Sequence, residues 1–216
     1  MKRNEYIKVS QVLDSQTSNL LYEYIKTTVQ RYEKLKEVLS TTDIEDKLQE
    51  VLLEEKPAIG LWGGEYTTPS MGFAKYGGLL TDTLMVVLKS TIERETNLKL
   101  IPTYSFFRLY RKGDSLPKHN DRPQCEISVS LCVGWKGEQQ WPLFLEGNPI
   151  LLDVGDLAIY RGVEAEHWRD PLEGEEQAQI FLHYNDIDGP YGETNLYDGR
   201  PFIGWPRGII KDENTK

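Results

Sequence analysis

Beyond Leu98 the apolar residues change their spacing, and this limits the possible folds more than any single motif does. Before that point they recur at three and four; after it they alternate with polar residues at two. A period of two belongs to strands with one buried face. The segments Leu100–Tyr110, Glu126–Val133, Trp141–Leu145, Ile150–Val154, Asp156–Arg161 and Gln177–Tyr184 all read as strands. Short turns at 111–114, 147–149 and 154–156 separate most of them. Many short strands after a helical start predict an α+β, mainly β architecture: a jelly-roll or sandwich core with helices packed outside it.

The helical start has its own signals. Tyr6–Val9 reads as a short opening strand. Asp14 or Ser15 can cap a helix running to about Leu39. Its apolar stripe is Leu20, Leu21, Tyr24, Ile25, Thr28, Tyr32, Leu35 and Leu39. A shorter acidic helix spans Asp43–Glu55. Residues 57–78 are punctuated by Gly and Pro and read as loop or broken strand, over the opening of any site. Thr81–Thr96 returns to helix, with Leu84, Val87, Leu88 and Ile92 on one side and Asn97 as its stop. At 216 residues one domain is expected: a helical part at about 10–97, a β core at about 98–186 and a tail at 187–216. The tail is rich in Gly, Pro and aromatics, and its charged end is expected to fray.

The formal net charge is −9, which argues against general nucleic-acid binding, since tracking phosphates needs clustered cations. No apolar run is long enough for a membrane span, and the first ten residues lack the apolar stretch of a secretory signal. Cys125 and Cys132 fall in one predicted strand at an odd separation, so they face opposite ways and cannot bridge within it. Two free thiols suit a reducing compartment, so a cytoplasmic location is expected.

The chemistry-bearing residues are few. Only three histidines exist, at 119, 167 and 183. His119 and Asp121 stand two apart just before a predicted strand, where both can point at one ion. Chance alone yields such a triplet in about one chain of this composition in five. A third ligand is therefore required. His167 lies 46 residues after Asp121 (167 − 121), beyond the strand Asp156–Arg161 and the acidic loop 163–166. A jelly-roll brings distant strands side by side, so this separation can close a three-ligand face. Two imidazoles and one carboxylate suit a non-heme Fe(II) site with open positions.

Taken together, Tyr110, Gly113, Asp114, His119, Asp121, Gly155, Asp156 and His167, followed by the strand QAQIFLHY, resemble the Fe(II)/2-oxoglutarate dioxygenases. The likeness is to their prolyl-4-hydroxylase-like branch, whose entry strand and first helix the opening YIKVSQVLDSQTSNLLYEYI also resembles. It runs from about residue 6 to 186. It implies a double-stranded β-helix fold (jelly-roll, cupin-like), and Fe(II) held by His119, Asp121 and His167. It further implies oxidative decarboxylation of 2-oxoglutarate with O2, with ascorbate as a possible reductant, and a contact from Tyr110 to 2-oxoglutarate. The substrate would be a peptide, protein or small molecule. The carboxylate at Asp121 weighs against the halogenating variants, which the resemblance implies would have Gly or Ala there.

One departure stands out. The family usually has Arg or Lys about ten residues after the last His, to pair with the distal carboxylate; here Glu176 and Gln177 occupy that place. A buried carboxylate without a cation is costly. With period two, Tyr104, Phe106, Arg108 and Tyr110 share one face, so Arg108 is the first candidate for that carboxylate, with Arg161 and Arg169 next. A planar fork favours Arg over Lys112 or Lys118. Gln177, Gln179, Phe181 and His183 share a face of the last strand that is expected to point inward, placing His183 and Gln177 beside the cosubstrate, although a satisfied core His is an equal reading of His183. Glu126, Ser128, Ser130 and Cys132 form one face of their strand and are expected to line the pocket, with Ile127, Val129, Leu131 and Val133 in the outer core; a solvent-facing polar edge is the other reading. Arg122 can reach a substrate carboxylate or pair with Glu126. Two other readings stay open: a cupin-like metalloenzyme that does not use 2-oxoglutarate, and a catalytically silent jelly-roll used for binding.

Overall fold

The computed structural model describes residues 5–41 and 72–205, without the side chains of residues 36, 38–41 and 193. Among these residues ten strands form two antiparallel sheets. The strands are β1 (Tyr6–Val9), β2 (Phe73–Tyr76), β3 (Leu100–Arg111), β4 (Leu116–His119), β5 (Ile127–Lys136), β6 (Leu143–Leu145), β7 (Asn148–Ile150), β8 (Leu157–Tyr160), β9 (His167–Arg169) and β10 (Glu176–Asp186). The larger sheet has the order β1-β8-β5-β10-β3-β2, and the smaller β4-β9-β6-β7. Two helices, α1 (Ser15–Thr41) and α2 (Leu79–Thr96), complete the frame. The predicted jelly-roll core with helices outside is the architecture found. No helix among the described residues is long and apolar enough to cross a membrane.

Alternation along the central strands sorts the chain into two interiors. Ile127, Val129, Leu131 and Val133 of β5 face one way, with Ile180 and Leu182 of β10, and pack against Leu21, Ile25 and Val29 of α1 and Met85, Leu88 and Ile92 of α2. Burying each such side chain is worth about 1.5–3 kcal/mol. The opposite faces turn between the sheets, where Cys132, Ala158 and Tyr160 meet Leu143, Leu145 and Ile150. Ser128, Ser130 and Gln179 are fully buried on this same inner side. The two faces of β5 thus lie on opposite sides as its alternation predicts, but Glu126, Ser128, Ser130 and Cys132 are buried and do not line the open cavity beside His119.

Helix α1 starts where Asp14 caps it: the Thr17 amide donates to Asp14 Oδ1 at 2.7 Å. It can lie close to β5 because Gly134 has no side chain; a Cβ there would fall on the ring of Tyr22. Helix α2 ends at Asn97, whose φ of 57° is the left-handed stop expected of it. Within the stripes, Leu20 and Val87 are exposed, and Val29 and Met85 take the core positions instead.

Several boundaries differ from expectation. The β7 strand ends at Ile150, and Cys125 lies in a short 3₁₀ turn (Pro123–Cys125), not in β5. Residues 73–76, expected as loop or broken strand, pair with β3. Strands β4 and β9 have no counterpart in the sequence reading. The expected helix Asp43–Glu55 and most of 57–78, with Trp62 and Tyr66, lie outside the described residues.

Candidate metal centre

The two unexpected strands carry the two outer histidines. β4 and β9 pair so that His119 and His167 are direct partners, their rings 4.3 Å apart. Asp121 follows in the loop after β4, its amide donating to the Gly162 carbonyl at 2.8 Å. One ligand atom from each of His119, Asp121 and His167 lies within 4.8 Å of the others. Asp121 Oδ1 stands 3.6 Å from His119 Nε2 and 3.7 Å from His167 Nε2. Two ligand bonds of about 2.0–2.2 Å end to end exceed either separation, so one ion can bridge the carboxylate to each imidazole.

The ring nitrogens behind those faces are committed. His119 Nδ1 lies 2.7 Å from the Pro117 carbonyl and His167 Nδ1 2.9 Å from the Ala165 carbonyl. A carbonyl only accepts, so each Nδ1 carries the proton and each Nε2 presents a lone pair. Asp121 Oδ2 accepts from Ser128 Oγ at 2.7 Å, and that hydroxyl is 3.1 Å from His183 Nδ1. The orientation of all three ligand groups is therefore fixed from outside the cluster.

The charges agree. Burial opposes ionisation of Asp121, but the imidazoles of His167, His119 and His183 outweigh it and hold the carboxyl well below its usual range. Burial pulls His167 below its ordinary value against the pull of Asp121. His119 is also penalised by burial, but its contact with Asp121 raises it. Burial pushes His183 down to about 4, so it is neutral at ordinary pH. An ionised carboxylate and a neutral His167 are donors that a divalent ion needs, and an ion at His119 Nε2 would take the place of the proton that Asp121 favours there.

A cavity opens onto this face. Its walls include Tyr104, Phe106, Arg108, Tyr160, Phe181 and His183. Arg108 is half-buried there, its guanidinium 5.2 Å from the Phe106 ring centre. Phe181 and His183 point inward as expected. The Tyr104 ring lies 4.6 Å from that of His183. A second group, Asp121, Cys125 and His183, also comes within 4.8 Å. Its atoms are already engaged: Ser128 Oγ lies between Asp121 and His183, and the Cys125 thiol is 3.0 Å from the Tyr104 hydroxyl.

Further in, the side chains are sealed. Tyr110 and Gln177, in register across β3 and β10, are 0% and 3% exposed. Arg169 follows His167 on the same side of β9 and is 1% exposed. Its Nη1 donates to the Trp141 carbonyl at 2.8 Å, while Nε and Nη2 have no hydrogen-bond partner among the described residues. The Tyr110 hydroxyl and Gln179 Nε2 are also unpartnered. Each such buried group costs about 1–3 kcal/mol, and more when charged. Burial pushes the Arg169 guanidinium below its ordinary value.

One sequence expectation needs correction, and one residue of the site has no sequence signal. Arg122 does not pair with Glu126: it makes a two-pronged bond to Asp198, at 2.6 and 2.7 Å, because the tail folds back beside the cavity. Glu126 is instead 3.5 Å from Arg161. Gly162 escaped the sequence reading. A Cβ there would fall on Asp121 Oδ2 and Ser128 Oγ, so only glycine leaves room for the carboxylate. Nothing in the local sequence marks it, since its close neighbours come from a different stretch of chain.

No family model matches the chain, and no curated protein matches it. Solved structures do. A prolyl-4-hydroxylase from Pseudomonas putida superposes with a TM-score of 0.54 at 14% identity, over 84% of this chain and 92% of that one. A viral collagen prolyl hydroxylase from Paramecium bursaria Chlorella virus-1, solved as its 2OG complex, gives 0.53 at 9% identity, over 85% and 96%. A non-heme alpha-ketoglutarate-dependent carbocyclase from nogalamycin biosynthesis gives 0.60 at 11% identity, over 98% and 90%. At such low identity the likeness is one of architecture, and the chain has the fold of the 2-oxoglutarate/Fe(II) oxygenases, including that of the prolyl hydroxylases.

Proposed function

We propose that this protein is an Fe(II)- and 2-oxoglutarate-dependent oxygenase that hydroxylates an unactivated C–H bond in a protein, amino acid or small molecule. The carrying observation is the convergence of His119, Asp121 and His167, with both Nε2 atoms turned to Asp121 Oδ1, at the wall of an open cavity. Fe(II) in that face supplies the redox chemistry that couples decarboxylation of 2-oxoglutarate by O2 to hydroxylation.

The chain's own part is to hold, orient and exclude. His119, Asp121 and His167 would hold the ion. Pro117 and Ala165 carbonyls lock the two imidazoles, and Ser128 locks the carboxylate. Tyr104, Phe106 and Phe181 give the cavity apolar walls that exclude water from the reacting groups. Arg108 and Asn120 add polar groups to the same cavity lining, where a substrate could meet them.

The experiment is succinate release from 2-oxoglutarate with Fe(II) and ascorbate. Wild-type protein is expected to release succinate, and Asp121→Ala to lose nearly all of that turnover. Retained turnover in Asp121→Ala contradicts the assigned triad. The uncharged Gln177 favours a second reading, a cupin-like metalloenzyme that does not use 2-oxoglutarate; metal binding without any succinate would support it.

A further inference from the structure

The buried space between the two sheets holds a cation without an anion among the described residues. Arg169 is 1% exposed, and no ion pair joins it to a described carboxylate. Its guanidinium lies 4.8 Å from the Trp141 ring centre, and the Tyr110 ring packs on the same Trp141 at 4.9 Å. Arg169 and Tyr110 therefore share one chamber. Gln179 Nε2, in register with Cys132 on the inner side, is a third unpaired donor.

The unmatched groups have one chemistry in common. Two guanidinium nitrogens, a phenol and an amide nitrogen all donate, so the group that satisfies them must accept at several points. A carboxylate does so, and a planar fork takes it two-pronged. Position fixes the other end of such a ligand. His167 and Arg169 lie on the same side of β9, two residues or about 6.6 Å apart. Tyr160 stands between the regions, its ring 4.9 Å from His167 and its hydroxyl within electrostatic reach of Arg169.

We propose that Arg169, with Tyr110, holds the far carboxylate of the 2-oxo acid cosubstrate, in place of a basic residue on β10. The inference rests on the oxygenase reading above. It differs from the sequence expectation, which ranked Arg108 first. Arg108 lines the open cavity, whereas Arg169 is buried beyond His167 on β9, so the proposed cosubstrate position is on the inner side and leaves Arg108 to the substrate side.

The test compares 2-oxoglutarate with 2-oxopentanoate, which has the same carbon chain but a methyl group in place of the far carboxylate. Binding of each to the Mn(II)-loaded protein is measured by titration calorimetry, so no turnover is needed. Wild type is expected to prefer 2-oxoglutarate by at least about a hundredfold, as two charge-assisted bonds imply. Arg169→Met reduces that preference to below about tenfold, and Arg108→Met keeps it. Tyr110→Phe, which removes one hydroxyl without opening a cavity, lowers it several-fold and carries the test if Arg169→Met does not fold. An unchanged preference in Arg169→Met, or in Tyr110→Phe where that variant carries the test, overturns the proposal and leaves the oxygenase reading standing. A wild type that binds Mn(II) but neither 2-oxo acid overturns both.

Discussion

Around Asp121 the closest approaches decide which residues are tolerated. Gly162 gives its carbonyl to the Asp121 amide, and its missing side chain leaves space for Oδ2 and the Ser128 hydroxyl. Gly162→Ala is expected to push the carboxylate out of line and weaken Mn(II) or Co(II) binding by about 10–100-fold, the range for lost outer support. Ser128→Ala, which removes one hydrogen bond without adding bulk, belongs at the lower end of that range. Calorimetric titration of the metal reads both, and unchanged affinity in Gly162→Ala would show that the cradle is not tight. The ligands themselves were legible because HxD and a later His are local signals with few alternatives among three histidines. Gly162 was not, because the atoms it avoids belong to residues 121, 125 and 128, and nothing in its own stretch points to them.

At the scale of elements, the long strands announced themselves and the short ones did not. β5 and β10 have ten and eleven residues, enough for alternation to show. β4 and β9 have four and three, and β4 contains Pro117, so no period can be read from them. They are held by pairing with each other and with β6, which only the fold provides. The entry of the larger sheet is tied by Asp156: Lys8 Nζ lies 2.9 Å from its Oδ2, and the Gln11 amide donates to its Oδ1 at 2.9 Å. Burial opposes ionisation of Asp156, but these donors win and lower its carboxyl below the ordinary 3.8. A carboxyl depressed in the folded state adds stability above the ordinary value, and that stability is lost as pH falls through it. Asp156→Asn is therefore expected to be less stable than wild type at pH 7, with the gap closing below about pH 4. Urea unfolding across pH 3–7 reads this; a gap of constant size would contradict it.

Across the whole molecule, the described part of the tail, residues 187–205, is fastened to the rest of the structure. Arg200 Nη1 lies 2.8 Å from Asp82 Oδ2, and Asp82 is fully buried at the start of α2. Ser105 Oγ and the Gly204 amide donate to the same carboxylate at 2.6 and 2.7 Å. Asp198 clasps Arg122 and accepts from the Tyr76 hydroxyl at 2.6 Å, fastening the tail beside the cavity. Fraying was expected only of the charged end, which lies outside the described residues; the anchoring of Asp198 and Arg200 was not legible because their partners, Arg122 and Asp82, lie 76 and 118 residues away in sequence. Arg200→Ala leaves Asp82 buried without its cation and is expected to cost about 3–5 kcal/mol. Chemical denaturation measures that directly; a loss under about 1 kcal/mol would mean the tail is not anchored this way. Fold and site are joined through the same two sheets, so the central feature is best tested at the ion itself. Mn(II) binding to the metal-free protein, followed by electron paramagnetic resonance, is predicted to show one bound equivalent in wild type and none in His119→Ala, Asp121→Ala or His167→Ala. Full binding that survives all three substitutions would contradict the account.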